Sequence, residues 1–317
     1  MITTCDRLTV RILDENYIDM LLVDAPPVRR FGMAKHFDPK SGVPWAENGL
    51  SYLVDVESNG ETRRILFDAG FSAEVVLHNM ALLEVDPASI DHVALSHGHP
   101  DHCRGIVGVL EAIGRPVPVA IHPDAFHPRY INLRSGHPMT YINLGFGAAE
   151  IERAGGRLVL SRSPLELATG AILSGEVNRA VDFEEEVPAG RFHVQGGEVV
   201  PDEIIDDQAL YVNVRGLGLV VLSGCAHSGI VNTLRHGLAL TGAERLHAVM
   251  GGFHLGHPGI SQEKIDKTAD ALVQLEPDLV SPMHCSGFRT WQAVADRLPD
   301  AFVLMTAAAT VEFAAPA

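Results

Sequence analysis

The sequence predicts an α/β fold built as one domain with an inserted cap or lid, and three observations carry that prediction. Short apolar runs of strand length recur along the chain. Several of them empty directly into loops rich in Gly and His, the arrangement by which α/β folds place chemistry at strand ends. In the C-terminal third, strand-like and helix-like periods alternate. Composition agrees, since 46% hydrophobic and 20% charged residues in a 317-residue chain supply a large core.

Taken in order, Leu8 to Asp14, Leu50 to Asp55 and Arg64 to Asp68 read as an N-terminal meander. The segment 24–48 between them, rich in Pro, Gly and charge, reads as a long loop bordering a pocket. Helical spacing follows at 73–82 and 87–90, then a short buried strand at Asp91 to Ser96. Ile106 to Ile113 reads as helix and Val117 to Ile121 as strand. Strands return at 157–161, 171–173, 209–214 and 219–222, and helices at 230–241 and 261–275 lead to strands at 246–250 and 279–281. The whole chain 1–317 is expected to be one domain, with 123–205 as the insertion or cap within it.

Charge narrows the function. With 24 Lys+Arg against 40 Asp+Glu, the formal charge is −16, which repels phosphate backbones and excludes nucleic acid as a partner. No apolar run approaches the roughly 20 residues that span a bilayer, and the start lacks a charged-then-apolar leader, so no membrane partner and a cytoplasmic location are expected. A homodimer is compatible with the sequence. Four cysteines, Cys5, Cys103, Cys225 and Cys285, suggest neither a disulfide scaffold nor a Cys-x-x-Cys zinc module.

Ser96-His97-Gly98-His99-Pro100-Asp101-His102 puts three imidazoles and a carboxylate directly after a buried strand. These are ligand types for Zn²⁺ at ligand density, and one loop can aim several at a point only when they are this close in sequence. His97 and His99 can face one ion, while Asp101 and His102, past the bend at Gly98 and Pro100, can face a second. Three later apolar strands also end in a histidine: Gly224-Cys225-Ala226-His227, Gly252-Phe253-His254 and Pro282-Met283-His284-Cys285. Each lies where a rigid element can hold a ligand.

His-x-His-x-Asp-His after a strand, with Phe67-Asp68-Ala69-Gly70 upstream, resembles the metallo-β-lactamase superfamily. Further segments resemble its 7,8-dihydropterin-6-methyl-4-(β-D-ribofuranosyl)aminobenzene-5′-phosphate synthase-like branch: Gly49-Leu50-Ser51, Ser174-Gly175-Glu176-Val177, Asp206 to Leu210, Gly224 to Asn232, Gly251 to Leu255 and Pro282 to Gly287. The resemblance implies an αββα sandwich holding one or two metal ions, zinc first, with iron or manganese as alternatives. It implies His97 and His99 at the first metal, Asp101 and His102 at the second, His284 as the final ligand and Asp68 as metal ligand or supporting acid. Two departures stand out: Asp206-Asp207-Gln208 replaces a third-motif histidine, and Cys225 replaces a bridging aspartate. His227 is the substitute for the missing ligand, and Cys225 is either a soft ligand or a support.

The expected activity is metal-dependent hydrolysis of a small ester, phosphoester or lactone by metal-bound hydroxide, with Asp101 and His254 as proton-handling groups and His254 alternatively touching metal. The subgroup name offers another reading, a transferase condensing a dihydropterin diphosphate with an aminobenzene ribofuranosyl phosphate. A non-catalytic metal or ligand sensor is a third. Substrate choice is assigned to the cap, where His122, Arg129, Tyr130, Arg134, His137, Tyr141, Arg179 and Glu184 lie. Arg129 and Arg179 are the candidates for gripping a small, anionic substrate. Glu184-Glu185-Glu186 reads as a solvated face, and His122, His127 and Asp124 as an alternative structural metal site.

Overall fold

Alternation along the strands decides how the layers stack. In β14 (Ala209–Val214) and β15 (Gly218–Ser223) every residue but Gly218 is buried, and the pleat sends the apolar ones to opposite faces. Leu210, Val212, Val220 and Leu222 join one cluster, while Ala209, Tyr211, Leu219 and Val221 join another. The same split occurs at β3 (Ser51–Ser58) and β4 (Glu61–Phe67): Tyr52, Val54, Ile65 and Phe67 face the first cluster, Leu53 and Leu66 a third. A sheet buried on both faces must be covered on both, which requires helices outside two packed sheets.

That is the architecture of the computed structural model, which describes residues 3–32, 42–132, 137–142, 144–184 and 190–315. One sheet runs β2 (Val28–Arg29), β18 (Thr310–Ala314), β1 (Arg7–Asp14), β3, β4, β5 (His92–Ala94), β6 (Val117–Ile121), β9 (Gly156–Leu160). The other runs β10 (Leu165–Ala168), β11 (Ala171–Leu173), β14, β15, β16 (Leu246–Gly252), β17 (Leu279–Met283). Helices α1 (Ala73–Leu82), α3 (Ile106–Ile113) and α4 (Ala148–Arg153) cover the first sheet, and the short α2 (Pro100–Cys103) lies in the histidine loop. Helices α5 (Ile230–Thr241), α6 (Gln262–Leu275) and α7 (Phe288–Arg297) cover the second. The αββα sandwich expected from the sequence is the observed one. Among the described residues no helix is long and apolar enough to cross a membrane.

The cap differs from its expected form. A small third sheet, β13 (Glu198–Pro201), β12 (Arg191–Gln195), β7 (Arg129–Ile131), β8 (Thr140–Ile142), draws its strands from the two ends of the 123–205 segment. The middle of that segment supplies α4, β9, β10 and β11 to the sandwich itself, so the cap is two separate excursions. Glu184 is buried: its carboxylate accepts from Val231 N at 3.0 Å and Asn232 N at 2.8 Å, capping the amino end of α5. It is therefore not part of a solvated face, and Glu185 and Glu186 lie outside the described residues.

At the end of β1, Asp14 is buried between Gly49 and Gly70, where any Cβ would strike its carboxylate. Neither oxygen receives a hydrogen bond from a described donor. Burial, reinforced by the Glu47 carboxylate, pushes Asp14 up to about 8. An unfolded Asp releases its proton near pH 3.9, so the folded state holds the extra proton between these values. Stability is expected to be full below pH 4 and to fall towards pH 8, by at most about 1.4 kcal/mol per pH unit from one such group. Asp14→Asn should flatten that decline. Thermal unfolding at pH 5, 6.5 and 8 measures it, and an unchanged pH slope in the variant would exclude Asp14 as the cause.

Candidate metal centre

Strands β4, β5, β15, β16 and β17 all end at one edge of the sandwich, so loops far apart in sequence converge there. Phe67 and Ala94 are paired at neighbouring strand ends, followed by Asp68 and by the loop from Leu95 to His102. Asp68 takes a left-handed backbone (φ 63°) that turns its carboxylate under this loop. One oxygen accepts from Ser96 N at 2.6 Å; the other accepts from Ser96 Oγ at 2.8 Å and lies 2.7 Å from His102 Nδ1. With Nδ1–H donating to Asp68, the lone pair of His102 Nε2 faces outward, 3.1 Å from Cys225 Sγ. The structure therefore gives Asp68 a supporting position.

Two donor clusters result, each with its candidate ligand atoms within 4.8 Å of one another. In one, His99 Nδ1 lies 3.0 Å from His97 Nε2 and 3.1 Å from His227 Nε2. Burial, with neighbouring positive charge, holds all three imidazoles well below their usual 6.5. Neutral rings carry one N–H each, and a single proton on His99 can satisfy only one of the two nitrogens facing it. A cation satisfies all three, so this donor set fits a metal.

The other cluster gathers Asp101, His102, Cys225 and His284. His284, again left-handed (φ 48°), has its amide N 3.0 Å from the Glu15 carboxylate, Nδ1 2.9 Å from Asn16 Oδ1 and Nε2 3.2 Å from Asp101 Oδ2. Burial alone would lower His284, but Asp101, Cys285 and Glu15 push it up to about 9. For His284 Nε2 to serve as a ligand, that proton would have to leave. For Asp101, burial opposes ionisation, yet His102 and His284 hold the carboxyl well below its usual range. Cys225 also groups with His227 and His254, so its sulfur lies between the two clusters. Its neighbour Cys285 Sγ is 3.3 Å away.

A cavity of about 460 Å³ opens in front of the clusters, with Asn16, His99, Asp101, Arg191, Cys225, His254, His257, His284 and Cys285 among its lining residues. His254 thus reaches the cavity as the sequence suggests. Neither Arg129 nor Arg179 does. Arg129 is buried, its Nε donating to Asp202 Oδ2 at 2.7 Å and NH2 to Asp206 Oδ1 at 2.5 Å. Asp206 in turn accepts from Gly98 N at 2.8 Å, so Arg129 braces the histidine loop. Arg179 donates to the carbonyls of Glu203 and Ile204 at 2.6 and 3.1 Å. The sequence missed Arg191, which sits on cap strand β12, and Asn16; neither lies in a motif.

The alternative structural metal site does not assemble. Asp124 pairs with Arg162, and His122 Nε2 faces Glu176 at 3.1 Å. Arg134 lies outside the described residues.

Residues 44–158 match the metallo-β-lactamase superfamily profile. A protein of Methanocaldococcus jannaschii named 7,8-dihydropterin-6-methyl-4-(β-D-ribofuranosyl)-aminobenzene-5′-phosphate synthase is 33% identical over 288 residues, 90% of this chain and 97% of its own length. An uncharacterised protein of the same organism is 31% identical over 246 residues, 77% of this chain and 86% of its own. A solved structure described as a metal-dependent hydrolase of the β-lactamase superfamily matches with a TM-score of 0.73 at 26% identity, covering 97% of this chain and 99% of that one. The expectation of hydrolysis as the main activity is corrected by the first relative, which matches nearly end to end and is named as a synthase.

Proposed function

Because this chain belongs to the metallo-β-lactamase superfamily, in the 7,8-dihydropterin-6-methyl-4-(β-D-ribofuranosyl)aminobenzene-5′-phosphate synthase-like branch, we propose that it is a metal-dependent transferase of pterin chemistry. It joins a dihydropterin methyl diphosphate to the amine of an aminobenzene ribofuranosyl phosphate. A C–N bond forms at the methylene carbon, the C–O bond to diphosphate breaks, and the amine nitrogen loses a proton. The 33% identity running the length of both chains carries this reading.

His97, His99 and His227 would hold one ion, and Asp101, His102, Cys225 and His284 another. Imidazole and thiolate donors favour zinc over harder ions, with iron or manganese as the alternatives. Bound there, two such cations supply positive charge against the oxygens of a departing diphosphate. Asp68 fixes the His102 tautomer, and Asn16 and Glu15 fix His284. Asp101 stands within the second ligand set, its Oδ2 3.2 Å from His284 Nε2. His254, at the cavity wall beside His227, has its Nε2 lone pair engaged by Arg191 NH2 at 3.2 Å, so it orients that guanidinium, and the amine proton passes to solvent in the cavity.

The test incubates metal-loaded protein with the two substrates and follows the coupled product by mass spectrometry and diphosphate by a release assay. Equal amounts of both are expected, with His97→Ala reducing the rate at least 100-fold. Elemental analysis should give two zinc ions per chain. Diphosphate release without coupled product, or neither, would overturn the transferase reading.

A further inference from the structure

A guanidinium taken out of water normally carries a carboxylate partner. This chain obeys that rule at Arg129, which has two, and at the half-buried Arg11 and Arg64, which share Asp55. Arg191 is the exception in the cavity. It is half-buried, and its NH2 lies 3.2 Å from His254 Nε2 and 3.3 Å from His257 Nε2. No carboxylate among the described residues forms an ion pair with it, although the chain carries 40 Asp+Glu against 24 Lys+Arg. Both imidazoles accept from the cation through their Nε2 lone pairs, which orients the guanidinium without neutralising it.

The three groups form a row. The rings of His227 and His254 stand 4.1 Å apart between centroids, and those of His254 and His257 stand 4.2 Å apart. Arg191 therefore lies across one imidazole from the histidine cluster, on the same cavity. A planar fork of donors with an unmet positive charge selects phosphoryl or carboxylate oxygens. Under the transferase reading the anion brought to this cavity is a diphosphate, which offers one phosphoryl group to the histidine cluster and a second to Arg191.

We propose that Arg191, oriented by His254 and His257, is the docking group for the terminal phosphoryl of a diphosphate ester whose other phosphoryl lies at the metal cluster. The choice of a diphosphate rests on the transferase reading; the presence of an anion subsite at Arg191 does not. On departure, the diphosphate would carry its charge towards a cation fixed in place before the C–O bond breaks.

Calorimetric titration of metal-loaded protein with inorganic diphosphate, and separately with orthophosphate, tests this without turnover. Arg191→Gln should weaken diphosphate binding at least ten-fold, Arg191→Lys should recover part of that loss, and His257→Gln should weaken it a few-fold. Orthophosphate affinity should change by less than three-fold, because the smaller ion is held at the cluster alone. Thermal unfolding and metal content of each variant verify that the site is intact. Diphosphate affinity within two-fold of the parent in Arg191→Gln would overturn the assignment, as would equal losses for both anions. A parent protein that makes no coupled product yet shows the Arg191 dependence would sink the transferase reading and keep the subsite. Coupled product with a diphosphate-substrate KM unaltered by Arg191→Gln would do the reverse.

Discussion

In an Asp68→Asn protein, metal content is expected to fall from two ions per chain towards one, with the loss confined to the Asp101–His102–Cys225–His284 cluster. The substitution keeps the shape and tolerates the left-handed backbone at this position, since Asn is among the residues that visit it. It removes the acceptor that His102 Nδ1 faces at 2.7 Å. The amide can still accept from Ser96 N, but its NH₂ then points at His102 Nδ1. The ring must turn that nitrogen into an acceptor, which moves its proton to Nε2 and aims it at Cys225 and the ion. Affinity at this cluster should drop by about 10–100-fold, while His97, His99 and His227 keep theirs. The same change leaves buried polar groups poorly matched and should cost about 1–3 kcal/mol of stability. Competition with a chromophoric chelator, read beside elemental analysis, resolves the two affinities. Two ions bound with parental affinity would show that Asp68 does not set the His102 tautomer.

How much of this site the sequence disclosed follows from where each residue gets its position. His97, His99, Asp101 and His102 share one loop after one strand, so spacing alone announced them. His227 and His284 lie at the ends of β15 and β17, whose apolar runs were legible. Asp68 was found because it ends β4. Arg191 and Asn16 were not found, because their places depend on pairings invisible to local pattern. Arg191 reaches the cavity on β12, whose partner β7 lies some sixty residues earlier. Asn16 meets His284 at a separation of 268 residues. For the fold, β18 went unread because its pairing with β1 joins the two ends of the chain. Helix α7 also went unread, although Thr290, Ala293 and Val294 recur at helical spacing on its buried face.

Arg129 shows how a correct residue type can carry a wrong role. An arginine in a polar, histidine-rich stretch reads as an anion grip, and nothing local says that its anions are Asp202 and Asp206, more than seventy positions later. Asp202, despite its burial, is held down at about 2 by this arginine. Arg129→Met, which keeps most of the volume, should strand two buried carboxylates and cost about 3–5 kcal/mol, a Tm drop on the order of 5–15 °C. It should also loosen Gly98, whose N–H is held by Asp206 and whose missing Cβ leaves room for the Ala125 carbonyl and the guanidinium. Arg129→Lys keeps one charge but cannot fork to both carboxylates, so an intermediate loss is expected. A bracing role predicts that Tm falls in both variants and that metal affinity at the His97–His99–His227 cluster falls with it. Unchanged Tm in Arg129→Met, with weakened binding of inorganic diphosphate, would return Arg129 to the substrate and remove it from the scaffold of the histidine loop.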